Sequence, residues 1–145
     1  MSVTYTNNWK NILTALNNKI RAEMKCPVFN NWHNESKANQ FISIMPVSSN
    51  QGDVTKFSEH RTYNMQCKYY FLRRKDNKFQ DYVLNQVSIL EALVHDNPTL
   101  TLSDSTKAYN VMIGDLDFNV DTEEEYEDYV VAEWDLSCEH LSNFG

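Results

Sequence analysis

The chain has 145 residues, 41% hydrophobic and 12% aromatic, which suits one domain with its own core and excludes a disordered chain. Its net charge of -7 is unevenly spread: residues 1–78 hold twelve Lys and Arg against five Asp and Glu, and residues 79–145 hold one against fifteen. The acidic net charge argues against a surface built to hold nucleic acid, and the asymmetry argues for one with a basic and an acidic side.

The first element is NNWKNILTALNNKIRAEM, where Trp9, Ile12, Leu13, Leu16, Ile20 and Met24 recur at spacings of three and four. That spacing predicts an amphipathic helix over 8–24, capped by Thr6 or Asn7 and stopped at Pro27. The Asn-rich CPVFNNWHNESKANQ reads as a loop, FISIMPV as a strand over 40–46 ending at Pro46, and SSNQGDVTKFSEH as a polar loop. HRTYNMQCKYYFLRR alternates, with Tyr63, Met65, Cys67, Tyr69 and Phe71 on one face of a strand over 60–72.

After RRKDNK, Val83, Val87, Leu90 and Val94 form the stripe of a second helix over 79–95, which Asn97-Pro98 ends. KAYNVMIGDLDFNV predicts a strand over 108–118 with a bulge or bend at Gly114. The acidic DTEEEYED then leads into YVVAEWDLSCEH, a strand over 129–141. There Val130, Ala132, Trp134, Leu136 and Cys138 share one face, and Tyr129, Val131, Glu133, Asp135, Ser137 and Glu139 the other. The order predicts one α+β domain over 1–145, a two-layer sandwich. Its sheet is antiparallel and roughly four-stranded, with the two helices packed on one face. Trp134, Leu136, Tyr63, Met65, Ile12, Leu16, Val87 and Leu90 are the expected core.

No P-loop, GxGxxG, GxSxG or HExxH motif is present. His33, His60, His95 and His140 are scattered, and Cys26, Cys67 and Cys138 lack the short spacings of a metal site, so no metal or cofactor is expected. The cysteines read as small buried hydrophobes of a reducing compartment. DLDFNVDTEEEYED lacks the glycine and ligand order of an EF-hand, and KYYFLRRKDNK reads better as a strand end and turn than as a nucleic-acid platform. No membrane helix or signal peptide is expected, because no apolar run is long enough.

The N-terminal amphipathic helix, the strand ending in IMP, HRTYNMQCKYYF, the DYVLNQVSILEALV helix and the closing YVVAEWDLSCEH strand resemble, in order and length, the tail terminator (tail completion) proteins of long-tailed bacteriophages. The likeness covers residues 8–141 and rests on pattern, with no invariant motif. It implies a non-enzymatic virion protein, made in the host cytoplasm, whose subunits form a hexameric ring. The ring caps the tail tube, meets the head connector, and lets genomic DNA pass without specific binding. A head–tail connector or minor neck protein is the alternative, and a small α+β binding module a more distant one.

The expected subunit or lumen surface joins two sets. One is acidic and partly apolar: Glu123, Glu124, Glu125, Glu127, Asp128, Tyr129, Val131, Glu133 and Asp135, on the wet face of the last strand and just before it. The other is basic: Arg61, Arg73, Arg74, Lys75 and Lys78, which a neighbouring copy would bring against the carboxylates.

Overall fold

A computed structural model describes residues 5–30, 32, 38–119 and 128–143. Its elements run α1 (Asn8–Met24), β1 (Val28–Phe29), β2 (Gln40–Val54), β3 (Ser58–Leu72), α2 (Phe79–Asp96), β4 (Leu100–Thr101), β5 (Lys107–Asn119) and β6 (Tyr129–Asn143). Asn7 caps α1 by accepting the Lys10 N–H on its side-chain oxygen at 3.0 Å. Lys25 ends the helix in the left-handed region, at φ 56°.

The strands form one sheet in the order β1-β2-β3-β6-β5-β4. β1 runs parallel to β2, and every other pair is antiparallel. This overturns the expected four-stranded antiparallel sandwich with two helices on one face: the sheet has six strands of mixed direction and curls into a half-barrel. Two causes are visible. β1 and β4 hold two residues each, too few to leave a periodic signal. Register shifts between Pro46 and Ser48 in β2, and between Tyr109 and Met112 and Ile113 and Leu116 in β5, bend those strands and add twist.

β2 also continues where a loop was expected. Pro46 does not stop it, because β1 covers only Ile42 and Ser43, so beyond them β2 is an edge strand and a missing N–H on the outer side costs no ladder bond. The residues to Val54 therefore pair back along β3 as a long hairpin. Gly52 in that hairpin lies against the His60 ring, where an added Cβ would meet Nδ1 at 2.2 Å, so any larger residue would have to displace that ring.

The core follows the alternation. Tyr63, Met65, Cys67, Tyr69 and Phe71 of β3 and Ala132, Trp134, Leu136 and Cys138 of β6 share a cluster with Ile12, Leu16, Ile20 and Met24 of α1 and Val83, Val87, Leu90 and Val94 of α2. All eight expected core residues are in it, each buried side chain contributing about 1.5–3 kcal/mol. Cys67 and Cys138 pack as small hydrophobes, and burial pushes both thiols up to about 12.

Near the sheet's other edge the buried His140 places its ring nitrogens 2.9 Å from Thr106 Oγ1 and 3.2 Å from Ser142 Oγ, tying the β4–β5 turn to β6. Burial lowers its pKa below the usual 6.5, against a smaller opposing pull from the Asp104 carboxylate.

Trp134 is 2% exposed and donates its indole N–H to Glu91 Oε2 at 3.2 Å. Trp134→Ala should therefore cost about 3–5 kcal/mol in urea denaturation, and an unmoved midpoint would contradict this packing. His140 gives a pH signature. Its folded pKa lies below its unfolded one, so the stability it contributes is complete above about pH 6.5 and declines as pH falls below that value. Melting curves between about pH 7 and pH 5 should drop less for His140→Gln than for the native chain.

Candidate functional site

The two charged sets expected to meet across a subunit boundary are placed very differently. Arg61 is already engaged within the chain: Nε and Nη2 donate to the two oxygens of Glu59, each at 3.0 Å, and Nη1 donates to Ser49 Oγ at 3.0 Å. This bidentate contact, helped by Gln51, holds the Glu59 carboxyl below its usual range. Arg74 likewise pairs with Asp76 at 3.2 Å and lays its guanidinium over the rings of Phe79 (5.4 Å) and Tyr82 (4.9 Å).

Arg73, Lys75 and Lys78 are exposed, and none of them forms an ion pair among the described residues. All three sit between β3 and α2, at one end of the sheet. Arg73 donates its backbone N–H to Asp128 O at 2.8 Å, which joins that end to the start of β6.

On the acidic side, Glu123, Glu124, Glu125 and Glu127 lie outside the described residues. Asp128 and Asp135 are exposed, and Glu133 faces Lys68 at 3.7 Å. Tyr129 and Val131 require a correction, because they are buried rather than wet. They pack with Phe41 and Tyr70 in a second cluster, edged by Phe29, Ala38 and Leu72. Phe41 and Tyr70 stack at 4.5 Å, Tyr129 meets Phe41 edge-on at 5.8 Å, and the Tyr129 hydroxyl donates to Ala38 O at 2.8 Å.

The cause is local: at this end of the sheet both faces are covered. The signal lay in the sequence as doubled apolar positions, Phe41-Ile42, Tyr69-Tyr70-Phe71 and Val130-Val131-Ala132, which a strand with one wet face does not need.

Farther along the same face of β6, Glu139 sits between His60, at 2.7 Å, and the Asn110 amide. The Asn110 hydrogen bond and then His60 hold its carboxyl below the usual range. Asn110 has φ 49° inside the β5 register shift, a conformation asparagine tolerates better than most side chains. This row staples three strands and leaves little of Glu139 for a neighbour. Among the described residues no group of His, Cys, Asp and Glu is placed to hold a metal. The described surface carries an exposed basic turn at one end and carboxylates distributed along β6.

No protein-family model matches the chain, and no curated protein does. Its fold matches a chain from the virion of a native gene transfer agent particle with a TM-score of 0.63, covering 95% of this chain and 100% of that one at 10% identity. A second solved chain matches with a TM-score of 0.54 over 93% of each chain, at 11% identity. At such identities the likeness is one of fold.

The burial of Tyr129 and Val131 makes a definite prediction. Phe41→Ala, which removes the centre of their cluster, should lower folding stability by about 3–5 kcal/mol in chemical denaturation. A variant with native stability but weakened self-association would return these residues to an interface.

Proposed function

We propose that this chain is a structural protein of a phage-like particle, a ring-forming subunit that caps the tail tube and meets the head connector. The observation that carries this reading is the end-to-end likeness of fold to a virion chain of a gene transfer agent. The ring is six subunits in a head-to-tail arrangement, with DNA passing through its lumen. Two features of the surface support such use. Arg73, Lys75 and Lys78 leave a compact basic turn at one end of the sheet, and Asp135, farther along β6, is an exposed carboxylate with no ion pair among the described residues. Copies set basic turn to acidic strand would fix orientation through charge, each exposed pair giving only about 0–1 kcal/mol. Apolar contact supplies the rest.

The decisive test is position on the particle. Electron microscopy of intact virions labelled with antibody to this chain should find it at the head-proximal end of the tail. Label on the capsid wall, at the distal tip, or nowhere on the particle would overturn the reading. Charge is tested separately. Arg73→Glu with Lys75→Glu should change folding stability by no more than about 0.5 kcal/mol while reducing ring formation, most strongly at low salt. Normal rings from that variant would remove the charge pairing. Arg74 is left untouched because Asp76, Phe79 and Tyr82 already hold it.

A further inference from the structure

Two exposed apolar features are not used by the charged surface. The first is the turn between β2 and β3. Thr55 closes it: the Thr55 N–H donates to Ser58 O at 2.8 Å, and its hydroxyl oxygen accepts the N–H groups of Phe57 at 3.2 Å and Ser58 at 3.0 Å. The turn fixed in this way directs Phe57 outward, 66% exposed, near Val54 at 51%. Lys56 lays its ammonium over the Phe57 ring, 5.7 Å from the centroid, and has no ion pair among the described residues. A rigid turn with an aromatic at its tip loses little freedom on binding, which is the build of an interface anchor.

The second feature is a groove of about 330 Å³ between α2 and the end of β5, lined by Phe79, Val83, Leu84, Phe118 and Val130. Leu84 and Phe118 are 42% and 43% exposed in it. Asp128, two residues before Val130, is exposed and has no ion pair among the described residues. The groove thus pairs an apolar floor with a carboxylate close by, and the turn pairs an apolar tip with an ammonium.

The two features lie at opposite ends of the sheet. Val54 pairs with Glu59 of β3, whereas Phe118 pairs with Ala132, which pairs with Tyr69 of β3. From Glu59 to Tyr69 the strand spans roughly 30 Å. A chain cannot fill its own groove with its own turn, but a second copy can. Such a contact is heterologous, and repetition closes it into a ring or extends it into a filament.

We propose that the groove between α2 and β5 receives the Val54–Phe57 turn of a second copy, with Phe57 between Leu84 and Phe118 and Lys56 turned to Asp128. The inference rests on the ring reading above and names the contact that joins its subunits. The turn is one anchor of a larger interface, since stable interfaces bury about 1,200–2,000 Å² in all.

Disulfide trapping tests it, because Cys26, Cys67 and Cys138 are all buried and do not compete. A tagged Phe57→Cys chain mixed with an untagged Leu84→Cys chain should yield, on mild oxidation, a dimer joining one of each. A disulfide needs Cα atoms within about 7 Å, so a bond within one chain is out of reach. No mixed dimer at the highest soluble concentration overturns the inference. So does a Leu84→Cys thiol that resists maleimide in the monomer, since the groove would then be closed without a second copy. Phe57→Asp should weaken association by at least about 30-fold without changing the melting temperature. Lys56→Glu should weaken it too, and Asp128→Lys should restore the Lys56→Glu chain. Failure of the trap with the protein still found at the tail end would overturn this contact alone, whereas absence from the particle would overturn the function.

Discussion

The β3–β6 ladder is the constraint on which the rest of the structure depends. Its register runs without a shift from Ser58 opposite Asn143 to Leu72 opposite Tyr129, 15 residues on each strand. Because side chains alternate with a period of two, this one register commits the odd residues of β3 and the even residues of β6 to the same face. Tyr63, Met65 and Cys67 thereby meet Cys138, Leu136 and Trp134, and these side chains join the buried cluster that also takes in the apolar stripes of α1 and α2. A slip of one residue would bury Lys68 and Glu133 in place of Cys67 and Trp134. The flanking strands can bend because these two do not: the register shifts fall in β2 and β5, on either side of the ladder.

The parts that were legible in the sequence are those where one physical signal acted alone. α1 and α2 follow stripes at helical spacing, and β3 and β6 follow strict alternation, so the core residues could be named from pattern. Four things were hidden. β1 and β4 exist only because a neighbouring strand edge is there to receive two residues each, a tertiary cause with no local trace. The run through Pro46 to Val54 looked like a loop because its residues are polar, yet exposed hairpin strands are polar for the same reason loops are. The curl of the sheet belongs to register shifts that only paired strands define. Tyr129 and Val131 were assigned to a wet face by a rule that holds where one face of a sheet is bare, and their end of this sheet has two covered faces.

The charge asymmetry also changes meaning once the side chains are placed. Three cations of the basic half are used locally: Arg61 closes on Glu59, Arg74 on Asp76 and two aromatic rings, Lys68 on Glu133. These contacts stabilise the hairpin, the α2 entry and the central ladder, so the charge available to another molecule is smaller than the count of Lys and Arg implies. Arg73, Lys75 and Lys78 form no ion pair among the described residues, because Asp76 in the same connection is taken by Arg74. Specificity from such a surface comes from where the uncommitted charges sit, and the two ends of the sheet differ in that respect.

The hairpin has a mechanical consequence. β6 runs to Asn143, opposite Ser58, so β3 is flanked by β2 on one side and β6 on the other right up to the turn at Thr55. The Gly52 backbone packed on the His60 ring, and His60 held by Glu139, close that end further. A pull on the turn along the strands therefore loads the β3–β6 ladder in shear, so that many hydrogen bonds share the force and none is peeled off singly. An arm built in this way transmits tension to the centre of the subunit instead of flexing.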